Sequence, residues 1–175
     1  QMVAPFSIGY ASALMASGSG DGMDAWVFDI DETLLSNLPY YVAHQFGGEV
    51  FDNNAFSNWV DLAKAPALAS SYRLYAHLLE LGVKIFLLTG RDETQRNATE
   101  KNLVRAGYHT WEALLLRGLD DHGKTAVLYK SERRLKIEQD GFGIRGNSGD
   151  QWSDVYGYSI GDRTFKLPNP MYYIA

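Results

Sequence analysis

Ala25-Trp26-Val27-Phe28-Asp29-Ile30-Asp31-Glu32-Thr33 is the stretch on which the fold turns. Its first half is a short, almost unbroken apolar run, the pattern of a strand covered on both faces, and its second half is a cluster of acids. Three further runs resemble it: Val83 to Thr89, Ala113 to Leu116, and Phe142 to Arg145. Helical patterns separate them. Ala67 to Leu81 carries Leu74, Leu78 and Leu81 on one stripe, with Gly82 as a stop. Asp92 to Ala106 opens on an Asp-x-x-Gln capping pattern and ends at Gly107, and Ser131 is the expected cap of a helix that ends at Gly141. Strands alternating with helices of this length predict an α/β fold, a parallel sheet with helices on both faces.

The segment from Leu34 to Pro66 breaks that rhythm. It holds six aromatics, Tyr40, Tyr41, Phe46, Phe51, Phe56 and Trp59, together with Pro39 and a helix start at Asn53. It reads as a small helical insertion, about 34–66, that overhangs the carboxyl end of the first strand, where open α/β sheets bind ligands. The aromatics there either pack on one another or receive the organic part of a ligand.

A chain of 175 residues is one domain's worth and can bury a substantial core. Its charge of −5 is unevenly placed. Residues 1–63 hold eight acids and no Lys or Arg, while the remainder carries a small basic excess. An acidic N-terminal third is a poor nucleic-acid surface and a natural place for a cation. No apolar run approaches the ~18 residues of a membrane span, and the absence of cysteine excludes disulfides, thiolate catalysis and Cys-based zinc sites. Residues 1–24 are half Gly, Ser and Ala, without the basic region or long apolar stretch of a signal peptide, and predict a poorly ordered lead-in to a domain spanning 25–175.

Asp29 and Asp31, two apart at a strand end, suit a nucleophile with an acid/base partner, or a hard cation with oxygen ligands. Later strand ends add to them. Thr89-Gly90-Arg91 offers a hydroxyl, a flexible backbone and a guanidinium for an oxyanion. Lys130, at the expected start of the Ser131 helix, offers an ammonium beside exposed N–H groups. Asp150 and Asp154 follow the fourth strand. Each alone is an ordinary turn or surface residue; together, at successive strand ends, they describe one site. Gly118 to Thr125 also matches the G-x-x-x-x-G-K-[ST] pattern of a phosphate-binding loop, but Asp120 and Asp121 inside it would set two negative charges against a polyphosphate, which disfavours nucleotide hydrolysis.

The ordered set Asp29-x-Asp31-x-Thr33, Thr89, Lys130 and Asp150 with Asp154 resembles the four motifs of haloacid dehalogenase superfamily phosphatases. Phe28 to Asn37, Tyr129 to Arg134, Gly146 to Asp154 and Phe165 to Pro170 are similar to the plant class B acid phosphatases and vegetative storage proteins, from about Asp24 to the C-terminus. The order of the acids disfavours a receiver domain. The resemblance implies a three-layer α/β/α Rossmann-like sheet with a helical cap, and an acid phosphatase acting on small phosphomonoesters. In that scheme Asp29 is the nucleophile and Asp31 the acid/base. Mg²⁺ is held by Asp29, the Asp31 carbonyl, Asp150 and Asp154, and phosphate is bound by Thr89, Gly90, Arg91 and Lys130. It further implies the secretory pathway, vacuolar or extracellular, a homodimer, and, through the storage members, the alternative of an amino-acid reserve with weak activity. Asn97-Ala98-Thr99 is a candidate glycosylation triplet.

Overall fold

The computed structural model describes residues 3–18 and 22–174. Five parallel strands form one sheet: β1 (Asp24–Phe28), β2 (Lys84–Asp92), β3 (Ala113–Arg117), β4 (Gly143–Gly149) and β5 (Thr164–Lys166). Their spatial order is β3-β2-β1-β4-β5. The central strand alternates its side chains between two cores, as a pleated strand must. Trp26 and Phe28 pack with Ile85, Leu87, Tyr75, Leu78 and Leu103 on one face. Ala25 and Val27 pack with Phe86, Leu88, Tyr129, Ile137 and Ile144 on the other. The first face is covered by α4 (Ala69–Glu80) and α5 (Arg96–Arg105), and the second by α6 (Ala126–Gln139). Burial on both sides explains why the strands lack polar alternation.

Between β1 and α4 the chain leaves the sheet, forms α2 (Leu38–Ala43), a 3₁₀ turn (Gln45–Gly47) and α3 (Asn53–Asp61), and returns. Departure and return meet in a neck. Leu35 bridges Ala67, Ser36 N donates to Pro66 O at 2.9 Å, and Leu68 N donates to Leu34 O at 2.8 Å. The returning strand is tied to α5 by Asn102, whose side-chain amide pairs with both the N–H and the carbonyl of Ala65 at 3.0 and 2.7 Å.

Three expectations from sequence are corrected. Residues Val3–Ala16, part of the expected poorly ordered lead-in, form a helix, α1. Its small buried residues Ala4, Ser7 and Ala11 permit close packing on α4 and β5, and Tyr10 O–H donates to Arg145 O at 3.1 Å. Residues 1, 2 and 19–21 of that lead-in lie outside the described residues. Helix α6 begins at Ala126, not Ser131, because Thr125 is the cap, its hydroxyl accepting from Leu128 N at 3.2 Å. Strand β4 runs on past Arg145 through the polar Asn147-Ser148-Gly149, a stretch whose composition argues against a strand. It pairs with β1 there, and Gly146 leaves room for the Trp26 indole, from which an added Cβ would stand 2.4 Å. Strand β5 is too short, at three residues, to announce itself in sequence. A seventh helical turn, α7 (Trp152–Val155), follows β4.

Candidate active site

The chain steps from β1 to one side, through β2 and β3, and then crosses back to β4 on the other side of β1. The carboxyl ends of β1 and β4 therefore form the switch point of the sheet, where ligand crevices occur. Asp29 follows β1, its N–H donating to Ser148 O at 3.0 Å, and Asp150 follows β4. Carboxylate oxygens of Asp29, Asp150 and Asp154 lie within 4.8 Å of one another, and all three side chains are buried.

Lys130, in the second turn of α6, reaches into this triad. Its Nζ donates to Asp29 Oδ1 at 2.7 Å and to Asp154 Oδ1. The ammonium is thus a direct ion-pair partner of the acids, whereas a helix start at Ser131 would have placed it beside free N–H groups; that expectation is corrected by the true start at Ala126. Thr33 Oγ1 stands 3.1 Å from Asp29 Oδ2 and 3.3 Å from Asp150 Oδ1, so its one proton is shared between them. Burial pushes the Asp29 carboxyl well above its ordinary range, the neighbouring Asp154 carboxylate adds to this, and Lys130 opposes it. Burial and Asp154 likewise push Asp150 up.

Asp31 has a different environment two residues away. Arg91 Nε donates to its Oδ2 at 3.0 Å and Nη2 to its Oδ1 at 2.7 Å, while Asn37 Nδ2 donates to Oδ1 at 2.7 Å. Burial alone would raise the Asp31 carboxyl, but the Arg91 charge and these hydrogen bonds hold it below the usual carboxylate range. The two aspartates are thereby driven in opposite directions by their surroundings.

The acids open into a cleft of about 1040 Å³ whose far wall is the insertion. Asp29, Asp31, Gly90, Arg91, Lys130 and Asp150 line one side, and Tyr40, Tyr41, Phe51 and Phe56 line the other. The aromatics do pack on one another, Tyr40 standing edge-on to Tyr41 and Phe56 at centroid distances of 5.2 and 5.3 Å, yet they also face the cleft. Thr89 is fully buried beneath it, its hydroxyl accepting from Arg91 N at 3.1 Å.

The profile of the HAD superfamily, subfamily IIIB (Acid phosphatase), matches residues 6–175. The chain belongs to this family. The match takes in most of α1, so the likeness begins earlier than the Asp24 expected from motifs. Acid phosphatase 1 of Solanum lycopersicum is 62% identical over 154 residues, covering 88% of this chain and 60% of that protein. The stem 28 kDa glycoprotein of Glycine max is 48% identical over 153 residues (86% and 60%), and vegetative storage protein 2 of Arabidopsis thaliana 39% over 155 residues (88% and 58%). The chain thus spans about three-fifths of the length of these relatives. In fold it is similar to the class C acid phosphatase from Bacillus anthracis, with a TM-score of 0.78 at 24% identity over 98% of this chain and 78% of that one.

In this member of the family, several site residues escape motif reading. Asn147 Nδ2 donates to Asp154 O at 2.7 Å, and Gln151 N to Asp154 Oδ2 at 2.8 Å. Arg134, one turn after Lys130 and fully buried, holds the 154–158 loop through Nη1 to Asp154 O and Nη2 to Tyr156 O, both 2.8 Å. A buried arginine in the quoted Tyr129 to Arg134 motif was the available signal. Glu32 accepts from Asn37 N at 2.6 Å and from the Tyr172 hydroxyl at 2.6 Å. Asn97 is exposed on α5, but Thr99 of its triplet is buried and accepts from Arg91 Nη1 at 3.1 Å, a structural use for that residue.

The Gly118 to Thr125 loop does not form a phosphate cradle. Its own Asp121 fills the space, Oδ2 accepting from Gly118 N at 3.0 Å and Oδ1 from Lys124 Nζ at 2.9 Å, with Arg133 as a further partner. Thr125 is spent on capping α6.

Proposed function

We propose that the protein is an acid phosphatase that hydrolyses small phosphomonoesters through an aspartyl-phosphate on Asp29. The observation that carries this reading is the buried triad of Asp29, Asp150 and Asp154 around Lys130 at the switch point of the sheet, with Asp31 two residues from Asp29 in the same cleft. Asp29, Asp150 and Asp154 against Lys130 leave a formal charge of −2 in a buried setting, among hard oxygen donors. That set fits a divalent cation of the Mg²⁺ type, with Asp29, the Asp31 carbonyl, Asp150 and Asp154 as its holders. Such a cation supplies charge that lets an anionic nucleophile approach an anionic ester.

In the first step an Asp29 oxygen, kept ionised against its burial by Lys130 and by the charge a cation would add, attacks phosphorus while the ester P–O bond breaks, and Asp31, protonated at acid pH against the hold of Arg91, gives its proton to the leaving oxygen. In the second, Asp31 takes a proton from water as the water oxygen attacks phosphorus, and the Asp29–phosphorus bond breaks to release phosphate. Lys130, Gly90 N–H, Thr89 and Arg91 are the groups proposed to meet the equatorial oxygens. The aromatics of the insertion receive the organic part.

The likeness to stem glycoproteins and vegetative storage proteins supports a secretory destination and favours one second reading, a storage role with weak turnover. High tissue abundance with a specific activity far below that of ordinary phosphatases would support it. The mechanism is tested by acid quench during turnover of a phosphoryl-labelled aryl phosphate. Label is expected on the peptide containing Asp29, and label on another residue would overturn the assignment.

A further inference from the structure

The Phe165 to Pro170 motif has no part in the chemistry above, yet its continuation closes on the acids. After β5, Leu167 N still donates to Gly149 O at 2.8 Å, and the chain then turns between Pro168 and Pro170, whose rings restrict it. At the turn, Asn169 Oδ1 accepts from Met171 N at 2.9 Å. This fixes the amide the one way round that satisfies both neighbours, because Nδ2 then donates to Asp150 Oδ2 at 2.8 Å. Gln151 Nε2 donates to the same oxygen at 2.5 Å, and Gln151 Oε1 accepts from Ile174 N at 2.9 Å, four residues after the proline turn.

The consequence for Asp150 is asymmetric. Both side-chain amides sit on Oδ2, while Oδ1 stands 3.3 Å from the Thr33 hydroxyl that also touches Asp29. A carboxylate torsion is broad when left to itself. Here two amides on one oxygen orient the other toward the triad. The segment is also tied down at its far end, since the Tyr172 hydroxyl donates to Glu32 and its ring stacks on Tyr41 of the insertion at 5.3 Å.

We infer that Asn169 is a positioning residue for cation binding, which acts by holding the Asp150 carboxylate with Oδ1 directed at Asp29. The inference rests on the reading of the triad as a cation site. Outer partners of this kind are worth about 10- to 100-fold in metal affinity.

The test is Mn²⁺ binding to the full, metal-free chain, followed by electron paramagnetic resonance, with Asn169→Ala, Asn169→Ser and Asp150→Asn. Serine is too short to reach Asp150 but retains a hydroxyl able to accept from Met171 N, so it keeps the turn if Asn169→Ala fails to fold. Asn169→Ser is expected to raise the Mn²⁺ dissociation constant about 10- to 100-fold with an unchanged melting temperature in the metal-free state. Its phosphate release should recover toward the wild-type rate at saturating Mg²⁺. Wild-type Mn²⁺ affinity in Asn169→Ser, with weakened affinity in Asp150→Asn, would overturn the positioning role and leave the cation site standing. Wild-type affinity in both would overturn the cation site as well.

Discussion

Arg91 grips Asp31 at two points, Nε 3.0 Å from Oδ2 and Nη2 2.7 Å from Oδ1, while its third nitrogen is anchored on Thr99. The fork geometry is specific to arginine, because a lysine ammonium cannot match a carboxylate edge at two points. Arg91→Lys should therefore keep the charge, lose the orientation of Asp31, and lower kcat for an aryl phosphate by roughly 100-fold. Arg91 also holds the Asp31 proton affinity down. Lysine keeps the charge but loses the two hydrogen bonds that add to that hold, so the limb along which kcat/KM falls with rising pH should move modestly to higher pH in the variant. A pH–rate profile of both proteins checks this.

Lys130 pairs with two buried carboxylates at once. Lys130→Met leaves Asp29 and Asp154 facing each other without a counter-charge, a change of the type that costs about 3–5 kcal/mol. Urea unfolding of the metal-free protein should show that loss. Saturating Mg²⁺ should restore part of it, since a ligand that binds only the native state stabilises it.

Asp121 is buried in the Gly118 loop, and although burial raises its carboxyl, hydrogen bonds from Lys124, Gly118 N and Arg133 outweigh this and hold it at about 2. A depressed carboxylate stabilises the fold above its unfolded value and ceases to do so as pH falls through the folded one. Asp121→Asn is expected to cost about 2 kcal/mol at neutral pH. The gap between variant and wild type should narrow between about pH 4 and about pH 2, as read from urea midpoints.

Gly149 abuts Asp154 so closely that an added Cβ would lie 2.1 Å from the aspartate's own Cβ. Gly149→Ala must displace Asp154 from Lys130 and Gln151 N. Cation affinity and phosphate release should both fall at least 10-fold, as measured by Mn²⁺ titration and by turnover.

Much of the fold was legible because strands buried on both faces leave continuous apolar runs. Trp26 and Phe28 face one core, Ala25 and Val27 the other, and no polar alternation was needed to find them. Where burial was achieved without apolar residues, reading failed. Asn147 and Ser148 lie in a central strand because the backbone of β1 pairs with them, and α1 is a helix because Ala4, Ser7 and Ala11 are small enough to dock. At the site, strand-end acids stood out by position. Two residues that orient them, Arg134 and Asn169, did not, because each acts through a contact formed only in three dimensions: Arg134 with carbonyls 20 and 22 residues away, Asn169 with a carboxylate 19 away.

The mechanism stands on Asp29 as the carrier of the phosphoryl group. The most direct measurement is phosphate release from an aryl phosphate by Asp29→Asn with saturating Mg²⁺, since asparagine preserves shape and removes the nucleophilic oxygen. A nucleophilic Asp29 requires a fall of at least roughly 1,000-fold, with the aryl phosphate still bound. Turnover within about tenfold of the wild type would contradict it.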